Sequence, residues 1–336
     1  MRIKEFAKLI GVSPTTVSHV LSGRGRVSAK TREMVLRRMR ELGYIPNPHA
    51  QQLVTGQSHI IALHHTDQEI LSDLFLTDFA RGVQSTLHMH GYGLLLDNVF
   101  RLDSADSPLL RWVRSAAVDG VILIKGWSPV REHIKQLANP ATPFVIYGAP
   151  TEADLPYVGC ITTDMKHGVE EVADLLVSLG HRRIGFIGIR EDDLFPTWFR
   201  EALQKYGVSL EERNIVTAGF TVAEGAAAAR HLFTQPNPPT AIFARKDDLA
   251  IGAMFSAVSL GLRVPEQVSI VGHDDVPMAS MMEPPLTTVR IDAFGLGQKA
   301  AEMVLALRRS PVEPTQICRF QTSLVIRKST GPAPRL

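Results

Sequence analysis

The chain lacks most of what would mark it as secreted, membrane-bound or catalytic. Its 336 residues include two cysteines, Cys160 and Cys318, far apart and each inside an apolar, strand-like run. That usage gives neither metal-ligand spacing nor a disulfide framework, so both read as buried thiols. No apolar run reaches the length of a membrane span before a charged or polar residue breaks it. The first residues, Met-Arg-Ile-Lys-Glu, lead into an amphipathic pattern instead of the apolar core of a signal peptide. These absences together point to a cytoplasmic protein that makes no use of a membrane. GxSxG, the P-loop and a GxGxxG after a strand are all missing, which removes a nucleophile elbow, a phosphate-cradling loop and a dinucleotide fingerprint. His64 and His65 adjoin on an expected strand and so face opposite ways, and His88 and His90 diverge on an expected helix. The expectation is a chain without catalytic residues, bound metal or cofactor.

A large excess of one charge is missing too, since the net charge is +2. The distribution is uneven, however. Residues 1–57 hold ten Lys or Arg against three acids, which is +7, so the remainder carries −5. A basic head on a mildly acidic body is the electrostatic footprint of a phosphate-binding module.

The head also has a pattern. Ile3, Phe6, Ala7 and Ile10 recur at helical spacing, and Gly11 stops that helix. Ser13 is a good N-cap and Pro14 suits the first helical position, where the missing N–H costs nothing. Val17, Val20 and Leu21 give the second helix an apolar side, with Thr15, Thr16, Ser18 and His19 on or beside its polar side. A third helix is expected between a Ser28 cap and Gly43, with Val35, Leu36, Met39 and Leu42 inward. A helix, a tight turn and a second short helix with small hydrogen-bonding residues near its start form a helix-turn-helix pattern.

Three runs in this segment, Val12-Ser13 … Thr16-Val17-Ser18-His19-Val20-Leu21, Arg26-Val27-Ser28 … Thr31-Arg32 and Leu42-Gly43-Tyr44-Ile45-Pro46-Asn47, resemble the headpiece of the LacI/GalR (lactose/galactose repressor) family. The resemblance continues through Val118-Asp119-Gly120-Val121-Ile122, Leu179-Gly180-His181-Arg182-Arg183-Ile184, Pro239-Thr240-Ala241-Ile242-Phe243, Ser269-Ile270-Val271-Gly272-His273-Asp274-Asp275 and Pro284-Pro285-Leu286-Thr287-Thr288-Val289. It implies a homodimeric transcription regulator, most often a repressor, that binds palindromic double-stranded operator DNA under control of a small-molecule effector. Thr15, Thr16 and His19 would face the major groove around the Ser13 cap, and Pro14 would replace a side chain that reads a base in relatives. Lys4 and Arg24 would bind phosphates. Asn47 as a cap and Pro48 at the first position start a short segment too small to be a stable helix alone. By resemblance it is a hinge helix that orders on DNA, with Ala50 small enough for two copies to meet and Leu53 wedged into the minor groove.

From residue 59 strands and helices alternate. Strands are expected at 59–65, 93–99, 120–124 and 144–147, then at 158–163, 184–188, 215–218, 241–244 and 269–272. Helices are expected between them, among others at 76–89, 165–179, 197–206 and 249–260. Repeated βα units mean parallel sheets covered on both faces. The fold class is therefore α/β: a helix-turn-helix headpiece (1–45), a hinge (46–57) and a periplasmic-binding-protein-like core (58–330). The core's two doubly wound lobes are expected at about 58–160 with 290–318, and 161–289 with 319–330, an order the resemblance supplies.

Ligands of open parallel sheets bind beyond the carboxyl ends of strands. Asp164, Asp247 and Asp274 all fall there. The first two precede helices and read as N-caps, whereas Asp274 matches the family's effector-binding aspartate. Phe220 occupies the position of a ring that stacks on the effector, and Phe75 falls in the first strand-to-helix loop. The chain departs from the family where Phe195 replaces an effector-clamping arginine, with Arg190 the next arginine nearby, and where Lys246-Asp247 replaces Asn-Asp. These changes leave two expectations open. The effector is a sugar derivative with anionic character held by Lys246 and Arg190, or it is a neutral sugar against an apolar wall at Phe195.

Overall fold

The computed structural model describes residues 1–23, 25–47, 52, 55–65, 73–97, 108–124, 131–148, 155–189, 194–310 and 317–335. Three helices form the head: α1 (Ile3–Leu9), α2 (Pro14–Ser22) and α3 (Ala29–Glu41). Ser13 and Ser28 cap α2 and α3 by accepting the N–H of the third residue on, at 3.0 and 3.1 Å, which satisfies an orphan donor of each first turn. Phe6, Ala7, Val17, Val20, Val35 and Tyr44 fill the small core, with Phe6 and Tyr44 stacked at 4.2 Å between centroids. Leu36 and Leu42 do not turn inward as expected and are 42% and 44% exposed. Three short helices enclose too little volume to take every apolar residue of α3.

The core consists of two six-stranded sheets. The first contains β1 (Ile60–His65), β2 (Gly93–Asp97), β3 (Gly120–Ile124), β4 (Phe144–Tyr147), β5 (Val158–Asp164) and β11 (Ile317–Gln321), in the order β11-β5-β4-β3-β1-β2 and parallel throughout. Its helices are α4 (Leu74–Met89), α5 (Pro108–Arg114), α6 (Arg131–Leu137) and α12 (Ala293–Arg309). The second contains β6 (Ile184–Gly188), β7 (Ile215–Thr217), β8 (Ala241–Ala244), β9 (Ser269–Asp274), β10 (Thr287–Arg290) and β12 (Ser323–Val325), ordered β12-β10-β9-β8-β6-β7. Here the edge strand β12 runs antiparallel to β10, which the sequence pattern did not anticipate. Its helices are α7 (Met165–Ser178), α8 (Phe195–Gln204), α9 (Val222–Phe233), α10 (Asp247–Ser259) and the short α11 (Pro277–Met281). Each sheet has an apolar cluster on either face, the burial that near-continuous Val, Ile, Leu and Phe strands demand.

The chain passes between lobes three times. The expected boundary at 160/161 falls inside β5, and the one at 318/319 falls inside β11. The crossings lie after Asp164, at Ile291–Asp292 and at Thr322. Two of them adjoin: Gln321 pairs with Asp164, and the buried Thr322 hydroxyl donates to the Asp164 carbonyl at 2.8 Å. The stretch 317–325 is therefore two strands, broken at Thr322 where the chain changes sheet. α8 begins two residues earlier than expected, because Pro196 sits comfortably in a first helical turn. Cys160 pairs in register with Ile317, so Cys318, one residue on, faces the opposite side of the sheet and the thiols form no disulfide. The residues between 98 and 107 and between 125 and 130, where β2 and α6 were expected to extend, lie outside the described residues.

Candidate functional site

The head presents α2 to solvent by its first turn. Ser13 is spent on capping, and its hydroxyl also meets that of Thr16 at 2.9 Å. Thr15 is exposed on the same turn and Lys4 is exposed at the start of α1. His19 is half-buried, its ring lying so close to the Gly25 backbone that a Cβ there would come within 2.6 Å of Nδ1. Arg32 donates to the Val20 carbonyl at 3.2 Å and ties α3 to the end of α2. Thr15, Thr16 and His19 thus share one short helix whose start and end are both fixed. Asn47 is exposed. Arg24, Ala50 and Leu53 lie outside the described residues.

The joint to the core is pinned by residues that sequence reasoning passed over. Asp119, 2% exposed, accepts the Ser58 N–H at 2.8 Å, the Ser58 hydroxyl at 3.1 Å and the His59 N–H at 2.9 Å. Gln52 donates from its amide to the Ala116 carbonyl at 2.6 Å. The loop before β3 therefore receives the end of the head's tether. The signal was available, because Asp119 is a buried acid next to a glycine at a strand start, but its partners are some 60 positions away.

The cleft lies where the strand ends of the two sheets meet. From the first lobe, Asp73 caps α4 with one carboxylate oxygen, accepting the N–H groups of Phe75 at 2.9 Å and Leu76 at 3.2 Å. The Phe75 ring, half-buried, lies 6.0 Å from that of Tyr147 at the end of β4. The Tyr147 hydroxyl meets the Thr163 hydroxyl at 3.2 Å, and burial pushes the phenol up to about 12, so it stays protonated.

From the second lobe come β8 and β9. Lys246, just after β8, forms an ion pair with Asp73 across the cleft, is 3.9 Å from Asp248, and is 5.9 Å from the centroid of the exposed Phe220 ring. Burial alone would lower the Lys246 ammonium, but the charges of Asp274, Asp73 and Asp248 outweigh it and hold it above its usual value. Asp274 closes β9 at φ 119°, a conformation rarely taken by a non-glycine residue. Burial would raise its carboxyl too. The hydrogen bond from His273 at 3.1 Å and the charges of Lys246, His273 and Arg245 prevail and hold it below its usual range.

Phe195 is placed differently from expectation. It is 3% exposed, packed in a core cluster, with the Arg245 guanidinium 3.7 Å above its ring and the His273 ring 5.1 Å from it edge-on. It supports Arg245 and is no bare apolar wall. Arg245 is thus a cleft cation that sequence reasoning missed, while Arg190 lies outside the described residues. Asp164 caps α7 as expected. Asp247 does not cap α10. It accepts the Val276 N–H at 2.8 Å and the Thr288 hydroxyl at 2.6 Å, bracing the loop after β9. Burial, reinforced by the charge of Asp274, pushes its carboxyl up to about 8.

Comparison with known proteins follows the same division. Residues 2–47 match the bacterial regulatory proteins of the lacI family, and residues 173–330 match a periplasmic binding protein-like domain. The HTH-type transcriptional regulator AglR of Rhizobium meliloti is 31% identical over 99% of this chain and 95% of its own length. The chain belongs to the LacI family. Among solved structures, the Lac repressor dimer bound to operator and the anti-inducer ONPF superposes with a TM-score of 0.82, at 26% identity over 98% of this chain and 99% of that one. The transcriptional regulator CelR in complex with cellobiose matches at 0.69, with 28% identity over 98% and 99% of the two chains. This LacI-family member is thus a DNA-binding transcription regulator with two parallel-sheet α/β lobes behind its headpiece. No described helix is long and apolar enough to cross a membrane.

Proposed function

We propose that this LacI-family chain works in the cytoplasm as a homodimeric repressor, without catalytic activity of its own. It binds palindromic operator DNA, and a sugar or sugar derivative in the inter-lobe cleft changes that affinity. The observation that carries this reading is the capped, exposed first turn of α2 on a head whose tether is received by Asp119 and the Ala116 carbonyl in the loop before β3 of the first lobe.

Thr15, Thr16 and His19 contact base edges, and Lys4 and Arg24 contact phosphates. Asn47 starts a hinge helix on DNA, Ala50 lets the two hinge helices meet, and Leu53 wedges between base pairs and bends the duplex. In the cleft, Asp274 accepts hydrogen bonds from effector hydroxyls, as a carboxylate suited to adjacent hydroxyls does, while Phe75 and Phe220 supply ring faces. CelR with cellobiose and the Lac repressor with ONPF support a sugar-like ligand. Exposed Phe255 and Val258 on α10 and Met278 and Met281 on α11 form the face through which the dimer pairs.

The test is a gel shift of the purified protein at physiological salt on symmetric against random duplexes, with a thermal-shift screen of sugars alongside. Preference for a symmetric duplex, altered by a sugar that also raises the melting temperature, supports the reading. Equal affinity for every duplex removes it.

A further inference from the structure

The effector cleft holds a side chain where a ligand would lie. Lys246 stands at the N-terminus of α10 in the second lobe, and Asp73 at the N-terminus of α4 in the first. The Lys246 ammonium, 9% exposed, is set against Asp73, with Asp248 at 3.9 Å and the Phe220 ring on another side. Asp73 divides its two oxygens: one caps α4 through the Phe75 and Leu76 N–H groups, and the other takes the ammonium. The pair therefore joins two helix ends that belong to different lobes. Each helix is rooted in its own lobe, α4 against α12 and α10 against α9 and β9. Drawing the lobes apart must break the pair, and the attraction between two charges shielded from water in the closed cleft is lost on opening.

We propose that Lys246 is a tethered occupant of the cleft, a clasp that holds the two lobes closed in the absence of effector. This rests on the reading of the cleft as the effector site. The clasp also sets the chemistry of the ligand. An effector that enters must take over Asp73 and Asp274, so it brings hydrogen-bond donors of its own. It carries no negative charge, because the acids around the ammonium outnumber it and Arg245 is already stacked on Phe195. On this proposal the alternative of an anionic sugar derivative held by Lys246 and Arg190 gives way to the neutral one, since the lysine answers to Asp73 before any ligand.

The experiment measures lobe separation in the full chain with neither DNA nor effector present. Spin labels go on exposed positions of α4 and α9, Gln84→Cys and Ala227→Cys, in a Cys318→Ser background, and their distance distribution is recorded. It is then repeated with Asp73→Asn and with Lys246→Met. Asparagine keeps the cap on α4 while removing the charge, so Asp73→Asn folds even if Lys246→Met does not. With labelled chains diluted into an excess of unlabelled chain, so that each dimer carries one labelled copy, the proposal expects one short distance in the parent and a longer or broader distribution in both variants. Identical distributions in the parent and Asp73→Asn would overturn it, as would a parent already spread over open and closed forms. Operator binding is measured on the same samples. Loss of the short distance with operator binding retained upholds the clasp, and absence of operator binding in the parent strikes the functional reading instead.

Discussion

Asp274 and Asp247 lie in the same corner of the second lobe, 27 residues apart in sequence; burial raises both carboxyls, but their partners leave the two shifted in opposite directions. Asp274 has a hydrogen bond from His273 and two nearby cations, which keep it ionised and able to accept from a ligand. Its replacement by asparagine removes a charged acceptor, and effector affinity should fall by about 1.5–3 kcal/mol in a calorimetric titration. Asp247 has only neutral partners and the repulsion of Asp274, so its carboxyl is raised to about 8. In the unfolded chain it ionises near 3.8. Between those values the folded protein binds the extra proton, so Asp247 erodes stability as pH rises, by up to about 1.4 kcal/mol per pH unit. Asp247→Asn, which can serve both the Val276 N–H and the Thr288 hydroxyl, should gain melting temperature relative to the parent between pH 5 and pH 8. A constant difference across that range would contradict the assignment. The expectation that Asp274 lies at the carboxyl end of a parallel strand is legible in the sequence because strand patterning is a local matter. It does not reveal the Lys246–Asp73 pair, whose members are 173 positions apart and meet only through the packing of two lobes.

At the scale of elements, the local signals hold where the physics is local. Ser13, Pro14 and Ser28 mark the helix starts of the head because caps and first-turn prolines act within three or four residues. Repeated βα alternation likewise shows both sheets. The missed features are those decided by distant neighbours: the antiparallel turn of β12, the break at Thr322, and the outward faces of Leu36 and Leu42. Close packing of α4 on α12 is another. A Cβ on Gly82 would sit 2.0 Å from the Phe294 carbonyl oxygen, and one on Gly297 2.0 Å from that of Phe79. Alanine is a better helix former than glycine by about 0.8–1 kcal/mol, yet here it meets backbone that cannot step aside. Gly82→Ala should therefore destabilise by about 1–3 kcal/mol in denaturant unfolding, and a gain in stability would show that the helices can part. In the head, the His19 ring is held against Gly25. His19→Ala should relax preference at one operator position by about 1–3 kcal/mol in a selection from mixed duplexes, and an unchanged preference would remove it from the base-reading set.

The whole molecule couples a basic headpiece to two lobes through a linker held by Asp119 and three crossings between sheets. Two of those crossings are bonded side by side at Asp164 and Thr322, so rotation of one lobe on the other is concentrated in a narrow strip. A coupling of about 1–3 kcal/mol between effector and operator is ordinary for such a linkage. In the proposed dimer, pairing of two chains would set the spacing of the heads. A charge at Phe255, as in Phe255→Lys, should shift sedimentation toward the monomer and weaken operator binding, because each half-site is then held separately. The most direct measurement of the central claim is enrichment of bound duplexes from a random pool by the full chain at physiological salt. The account predicts a two-fold symmetric sequence, bound at least about a thousandfold more tightly than scrambled DNA, and recovery of a pool with no symmetry and no preference would contradict it.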